Sequence, residues 1–230
     1  MFEIKKNIVL IQQRITKAVF LANRKSADIH LLAVSKTKPA SLIREAFNCG
    51  INQFGENYLQ EALSKQQELA DLPITWHFIG PIQSNKTKEI AEHFHWVHSV
   101  DRLKIAERLS NQRPIKMAPL QICIQVNISE ENTKSGCHPD QLIDLAKAIK
   151  QLPNLELRGL MTIPKPTDDI IKQKASFATL NKLKNDLNEQ LTLSLDTLSM
   201  GMSQDLEAAI AEGATWVRIG TAIFGERNYN

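Results

Sequence analysis

The chain has 230 residues, of which 43% are hydrophobic and 23% charged, so it is long enough to bury a substantial core. Its net charge of +3 and its scattered lysines and arginines exclude a strongly basic surface for nucleic acid or an anionic membrane. Three cysteines, an odd number without a Cys-x-x-Cys pair, are typical of free thiols in a reducing cytoplasm. We therefore expect a cytoplasmic protein that neither spans a membrane nor binds nucleic acid.

The first predicted element is an amphipathic helix at the N-terminus. Ile4, Ile8, Ile11 and Ile15 recur at helical spacing, which predicts a helix with one face packed on the rest of the protein. The same segment contains an early acidic residue, Glu3, and lacks the continuous apolar run of a signal peptide. The segment is therefore expected to belong to the folded protein.

After this helix, short apolar runs alternate with longer helical stretches. The predicted strands are Ile29–Thr37, Gln53–Glu56, Ile74–Gly80, Trp96–Val100, Leu120–Ile128, Leu155–Ile163, Leu195–Gly201 and Trp216–Phe224. Helices are predicted to begin near Pro39, Asn57, Ser84, Asp101, Pro139, Asp168 and Ser203, so that every strand but the last is followed by a helix.

This alternation predicts an α/β fold with a parallel sheet, and eight units of this size favour a closed TIM (β/α)8 barrel. We expect a single domain over residues 1–230, with the N-terminal helix as an addition to the barrel. A doubly wound open sheet is the alternative, although no Gly-x-Gly-x-x-Gly motif follows the first strand.

Lys36 stands at the end of the apolar run Leu31–Val34, where a barrel would place its functional face. A partly buried lysine has a lowered pKa, and its neutral amine can form a Schiff base with an aldehyde. The alternative is that the ammonium group simply reaches solvent at the end of a strand.

Two segments near the C-terminus predict a phosphate site. In barrels of this kind, the loops after strands seven and eight commonly bind phosphate through backbone N–H groups. Here these loops contain Ser199-Met200-Gly201-Met202-Ser203 and Gly220-Thr221. An ordinary turn, with Ser203 as a helix cap, would produce the first segment equally well.

Arg218 lies two residues before Gly220 in an apolar strand, so both residues are expected to point toward the barrel mouth. Opposite a pyridine nitrogen, an arginine would disfavour protonation of the ring, because a guanidinium cannot accept a hydrogen bond. A salt bridge across the mouth is the alternative. An aldehyde-trapping lysine, a phosphate cradle and an arginine on one face together point to pyridoxal phosphate.

Several long blocks of the sequence resemble the YggS/PROSC family of pyridoxal phosphate homeostasis proteins. These blocks run from the first predicted strand to the C-terminus, at residues 31–38, 54–58, 76–80, 83–86, 198–203 and 217–225. The resemblance implies a barrel like the N-terminal domain of alanine racemase, with pyridoxal phosphate as a Schiff base on Lys36.

The resemblance also implies roles for individual residues in this sequence. Arg218 would face the pyridine nitrogen, and Asn57 would line the pocket. The residues implied to surround the phosphate are Ser199, Met200, Ser203, Gly220 and Thr221.

Two classes of function are compatible with such a site. A racemase needs an acid or base on each face of the bound substrate, and in alanine racemases a tyrosine from a second domain supplies one of them. Tyr58 and Tyr229 are the two tyrosines of this sequence, and we expect no second domain after the barrel. We therefore predict a non-catalytic protein that stores pyridoxal phosphate and delivers it to apo-enzymes, with a monomer favoured. Racemase is the alternative, and a structural protein with a vestigial cofactor is a third.

Other polar groups carry weaker signals. His93, His95 and His98 form a His-x-His-x-x-His cluster without a cysteine or nearby carboxylate, and we predict no metal site there. His77 lies near the expected mouth and could contact a ligand or be a core histidine. The polar loop Ser129–Cys137 is long enough to close over the mouth.

Overall fold

A computed structural model of the protein describes residues 2–129 and 135–226. Eight parallel strands close into a barrel in sequence order, and β1 pairs with both β2 and β8. The predicted barrel is therefore confirmed, and the open-sheet alternative is wrong. The strands are β1 (His30–Val34), β2 (Gln53–Glu56), β3 (Thr75–Phe78), β4 (Trp96–Val100), β5 (Leu120–Gln125), β6 (Leu155–Met161), β7 (Thr197–Ser199) and β8 (Trp216–Ile219).

Helices surround the barrel, and among the described residues none combines the length and apolarity needed to cross a membrane. Short 3-10 helices precede β1, α4 and α6, at Ser26–Asp28, Ser84–Lys86 and Pro139–Gln141. The α-helices are α1 (Phe2–Leu21), α2 (Ala40–Asn48), α3 (Leu59–Glu68), α4 (Thr87–His93), α5 (Leu103–Gln112), α6 (Leu142–Ile149), α7 (Ile170–Leu191), α8 (Leu206–Ala211) and α9 (Thr221–Phe224).

The N-terminal helix α1 packs against α8, α9 and α2 on the outside of the barrel. Ile4, Ile8 and Ile11 are buried on its inner face, and Ile15 packs partly buried against the same core. This confirms the amphipathic helix that the isoleucine spacing predicts. The helix also brings polar side chains to the loops that follow β7 and β8.

The barrel interior is unusually rich in aromatic rings and histidines. The rings of Trp96 and Trp216, from β4 and β8, lie 5.6 Å apart between their centroids. His77 from β3 lies 4.8 Å from the Trp216 ring and 5.7 Å from the Trp96 ring. Because strands on different sides of the barrel contribute these rings, the rings fill the space that aliphatic side chains more often occupy.

The prediction for the last strand is wrong. The strand ends at Ile219, and Thr221–Phe224 forms helix α9 rather than continuing the strand to Phe224. The apolar side chains of Ile223 and Phe224 are buried, and the Ile223 N–H donates to the Gly220 carbonyl, which bends the chain into a turn of helix. Every strand, including the last, is thus followed by a helix.

The strand that precedes Lys36 is also shorter than predicted. β1 ends at Val34, so Ser35, Lys36 and Thr37 lie in the loop between β1 and α2. Thr37 has a φ of +62°, a left-handed conformation that is uncommon for a β-branched residue. The backbone therefore turns sharply beside the lysine instead of extending past it.

Candidate functional site

A cavity of about 440 Å³ opens at the carboxyl ends of the strands. This face of a TIM barrel carries the βα loops and is the usual location of a functional site. Six of the eight residues predicted for the site line this cavity: Lys36, Asn57, Ser203, Arg218, Gly220 and Thr221. The fold therefore gathers into one pocket side chains that are up to 185 positions apart in the chain.

Arg218 lies at the base of this cavity and is almost completely buried. Its guanidinium donates one hydrogen bond of 2.9 Å to Ser199 Oγ and another of 2.9 Å to the Thr162 carbonyl. Burial lowers the pKa of Arg218 to about 10, so the side chain still carries a positive charge at neutral pH. In place of the salt bridge considered for Arg218, both bonds go to neutral oxygen atoms, and the Asp205 carboxyl, which lines the same cavity, acts on its charge from a distance.

Ser199 and Met200 are fully buried and are not among the residues that line the cavity. The Met200 N–H donates to the Trp216 carbonyl, within the barrel wall. The Ser199 hydroxyl contacts Arg218 and His98. The structure thus places these two residues behind the pocket, with Ser199 in contact with one of its lining side chains.

A chain of hydrogen bonds crosses the barrel interior behind Arg218. Ser199 Oγ lies 2.7 Å from His98 Nδ1, His98 Nε2 lies 2.9 Å from His77 Nδ1, and His77 Nε2 lies 2.7 Å from Gln53 Oε1. Gln53 Oε1 can only accept, so neutral His77 donates from Nε2 and accepts at Nδ1 from His98 Nε2. This leaves His98 Nδ1 to accept from the Ser199 hydroxyl. Ser199 in turn accepts from Arg218, which can only donate. Both imidazoles then carry their proton on Nε2, and each bond in the chain has one donor and one acceptor.

The two histidines in this chain of hydrogen bonds, His77 and His98, stay neutral. Burial lowers the pKa of His98 to about 3, with a further contribution from the positive charge of Arg218. Burial, followed by the neighbouring histidines, lowers the pKa of His77 well below its usual range. His77 is therefore a core histidine rather than a pocket residue, one of the two roles considered from the sequence.

The histidines of the His-x-His-x-x-His cluster point in different directions. His98 lies inside the barrel, whereas His95 Nδ1 accepts the Trp76 backbone N–H at 3.0 Å. His93 is exposed at the end of α4. Within residues 2–129 and 135–226, no group of three histidine, cysteine or acidic residues is arranged to hold a metal ion.

Helix α1 bonds to one of the two loops predicted for phosphate and to helix α9, which follows the other. Arg14 donates to the Ser203 carbonyl at 3.0 Å and forms a two-pronged ion pair with Glu207 of α8. Asn7 donates to the Ile223 carbonyl of α9 at 3.0 Å. No local sequence signal predicts these contacts, because they join residues about 190 to 216 positions apart.

The remaining wall of the cavity contains Asn57, whose backbone lies against Gly80. A β-carbon at position 80 would lie 2.2 Å from the Asn57 carbonyl oxygen, so only glycine fits there. The side-chain Oδ1 of Asn57 is buried and has no hydrogen-bond partner within the described part of the chain. Together with the amine of Lys36, the guanidinium of Arg218 and the hydroxyls of Ser203 and Thr221, this acceptor makes a donor and acceptor set that fits a phosphorylated aldehyde with a polar ring.

Comparison with known proteins identifies the family. Residues 3–228 match the family described as alanine racemase, N-terminal domain. The pyridoxal phosphate homeostasis protein of Pseudomonas aeruginosa is 65% identical over 229 residues, which cover 100% of this chain and 98% of the relative. The protein of the same name from Escherichia coli K12 is 49% identical over 233 residues, with 100% and 99% coverage.

The chain belongs to the pyridoxal phosphate homeostasis protein family.

Solved structures agree with this assignment of the family. PipY of Synechococcus elongatus, whose structure has PLP bound, is 38% identical with a TM-score of 0.84, and the match covers 97% of this chain and all of PipY. An alanine racemase of Clostridium difficile is 12% identical with a TM-score of 0.78, covering 100% of this chain and 58% of the racemase. At that identity, the racemase shares the fold alone.

Three further features considered from the sequence are not found at the described pocket. Tyr58 is exposed and is not among the residues that line the cavity. Most of the loop Ser129–Cys137, and also Tyr229, lies outside the described residues. Other lining residues, such as Thr167 before α7 and Gln173 in its first turn, carry no signal in the sequence, because an ordinary polar loop precedes that helix.

Proposed function

We propose that this protein binds pyridoxal 5'-phosphate reversibly, stores it in the cytoplasm and delivers it to apo-enzymes that need the cofactor. In this proposal, the protein acts as a single-domain monomer and does not itself catalyse a reaction. The observation that carries the proposal is the position of Lys36 in one pocket with Arg218 and two hydroxyls, in a family whose member PipY binds PLP.

Each lining residue has a role that follows from its chemistry. The Lys36 amine, once it has lost a proton, would add to the aldehyde carbon, and loss of water would leave a Schiff base that water can hydrolyse again. Ser203, on the loop that Arg14 of α1 holds, and Gly220 and Thr221 would contact the phosphate. Arg218 faces the pyridine nitrogen, and Asn57 uses its buried acceptor on the ring.

Ser199 and Met200 act from behind the pocket in this proposal. The Ser199 hydroxyl accepts from Arg218 and so sets the direction of the guanidinium. Met200 is bonded through its backbone to Trp216 and supports the loop that continues to Ser203. Neither side chain needs to contact the ligand for these roles.

Storage fits the pocket better than racemisation does. A protonated arginine opposite the pyridine nitrogen weakens the ring as an acceptor of electrons, but racemases of this fold tolerate such an arginine, so the second acid or base is the feature that separates the two functions. The exposed Tyr58 lies away from the pocket lining and is not placed as the second acid or base of a racemase. A reversible Schiff base, in contrast, needs only the lysine and a pocket that opens to solvent.

The binding proposal is tested by adding pyridoxal phosphate and recording the visible Schiff-base band. Reduction with borohydride followed by peptide mapping should place the adduct on Lys36. Lys36→Ala should lose the band and the adduct but remain folded, because the residue lies in a loop at the mouth. Lys182→Ala, at an exposed position of α7, should behave as the unmodified protein. A band of unchanged intensity in Lys36→Ala would contradict the assignment.

Storage and catalysis are separated by proton NMR of an amino-acid panel in heavy water with the loaded protein. Racemases exchange the proton on the α-carbon, as do most other amino-acid enzymes that use this cofactor. We expect no exchange at turnover rates. Rapid exchange that disappears in Lys36→Ala would make the protein an enzyme and favour the racemase alternative.

A further inference from the structure

The loop that carries Lys36 is held on both sides by one helix. The Thr37 N–H, immediately after Lys36, donates to Glu61 Oε1 at 2.6 Å. The Ser35 carbonyl, immediately before Lys36, accepts from Lys65 Nζ at 2.8 Å. Glu61 and Lys65 are one turn apart on α3, so a single helical face binds both peptide groups that flank the lysine.

The two helical residues also bind each other, and Lys65 binds Glu56 at the end of β2. Lys65 Nζ contacts Glu61 Oε1 at 2.5 Å and Glu56 Oε1 at 2.8 Å, so with the Ser35 carbonyl all three ammonium protons are used. The side chains of Lys65 and Glu56 are almost completely buried. Ser35 Oγ donates to the same Glu56 oxygen at 2.6 Å. Ser35, Glu56 and Lys65 thus form a buried network, whereas the bond from the Thr37 N–H to Glu61 lies at the surface.

The conformation of Thr37 shows what the network has to hold. A threonine at a φ of +62° is disfavoured, because its branched side chain crowds the backbone in the left-handed region. The Lys38 N–H donates to the Ser35 carbonyl at 3.1 Å and closes the turn, and the bond from the Thr37 N–H to Glu61 fixes the Lys36–Thr37 peptide within it. Without the bond to Glu61, this peptide would be freer to rotate. That rotation would re-aim the backbone at Lys36, the neighbouring residue.

We propose that Glu61 and Lys65 are positioning residues for Lys36, which hold the Ser35–Thr37 loop in its left-handed turn and so aim the Lys36 amine into the pocket. This inference rests on the proposed Schiff base of Lys36. It adds a role for two residues outside the pocket lining that act on the lysine through the backbone alone.

The test separates covalent capture from non-covalent binding. Pyridoxine 5'-phosphate has an alcohol in place of the aldehyde, so its affinity reports the phosphate and ring contacts without Lys36 chemistry. The rate of Schiff-base formation with pyridoxal phosphate reports the aim of the amine. Glu61→Ala should slow Schiff-base formation about ten- to a hundredfold while the affinity for pyridoxine phosphate stays within about twofold of the unmodified protein.

A conservative variant and a control variant show whether the effect depends on the bond from Thr37 to Glu61. Glu61→Gln keeps an oxygen for the Thr37 N–H and should restore most of the rate. Glu68→Ala removes another glutamate of α3 at an exposed position and should change neither quantity. Lys65→Met should act like Glu61→Ala, and the Glu61 variants decide the question if Lys65→Met does not fold. An unchanged rate in Glu61→Ala, or an equal fall in rate and in affinity, would overturn the inference.

A measurement without cofactor distinguishes failure of this inference from failure of the proposed function. Amide hydrogen exchange at Thr37 should be slow in the unmodified protein and in Glu61→Gln, and at least about tenfold faster in Glu61→Ala. If the unmodified protein forms no Schiff base but this exchange pattern is found, the proposed function fails and the hold on the loop stands. If Thr37 exchanges equally fast in all three proteins, the hold itself is refuted.

Discussion

The neutral histidines inside the barrel predict a specific dependence of stability on pH. The pKa of His98 falls from its usual value near 6.5 to about 3 in the folded protein, mainly because the ring is fully buried. Between these two values, the unfolded chain binds a proton at His98 that the folded chain does not. The free energy of unfolding therefore decreases as the pH falls below about 6.5, and this contribution is fully present only above that value.

The size of the effect follows from the two pKa values. Each pH unit between them changes the free energy of unfolding by about 1.4 kcal/mol for one histidine, so about 2 kcal/mol is lost by pH 5. His77, whose pKa is also lowered by burial, adds to the loss in the same direction. Replacing His98 with glutamine keeps one donor and one acceptor at this place in the chain of hydrogen bonds but removes one titrating group.

Urea unfolding of His98→Gln and the unmodified protein at several values between pH 5 and pH 8 measures this difference. We expect the variant to be less stable at pH 8 but to lose about 2 kcal/mol less between pH 7 and pH 5. His93→Gln, at the exposed end of α4, is the control and should follow the unmodified protein. Parallel curves for His98→Gln and the unmodified protein would refute the neutral, buried histidine chain.

Three further predictions follow from the described contacts. Gly80→Ala should lower the free energy of unfolding in urea by about 3 kcal/mol, because its β-carbon would lie 2.2 Å from a backbone oxygen. Gly50→Ala, with open space around it, should lower it by about 1 kcal/mol. Equal losses in the two variants would contradict the clash. Arg14→Met removes a bond to the Ser203 carbonyl and should weaken the binding of pyridoxine phosphate, measured by calorimetry, about three- to tenfold. The free energy of unfolding should fall by less than about 1 kcal/mol, because the ion pair with Glu207 is exposed. Unchanged affinity would show that the loop does not depend on α1. Thiol labelling of the native protein should reach Cys49 alone, because burial raises the pKa of the other two thiols; three labels without denaturant would contradict this burial.

The local pattern of the sequence was enough to predict the barrel and the place of its functional face. Alternation of short apolar runs with helical stretches depends on burial along one element at a time, and it predicted all eight strands. It was less reliable at strand ends. The apolar residues Ile223 and Phe224 extended the last predicted strand, although the structure buries them in α9, because an apolar run does not distinguish a strand from a short buried helix.

The site could be predicted to the extent that it lies at strand ends. Lys36 and Arg218 come from the first and last strand regions, and closure of the barrel alone brings them together. The sequence therefore determined the fold and the part of the pocket wall that follows β1, β2, β7 and β8, but not the part between β6 and α7. It did not determine which residues are buried behind the pocket, because that depends on side-chain contacts across the barrel.

Only the tertiary structure decided how the pocket residues are held. The histidine chain behind Arg218, the hold of α1 on the Ser203 loop and the hold of α3 on the Lys36 loop all join side chains to distant groups. Such contacts leave no periodic signal, because each depends on the direction of single side chains after the barrel has closed. Hydrophobic periodicity specifies which face of an element is buried, whereas hydrogen-bond partners are specified by the packed arrangement of all the elements together.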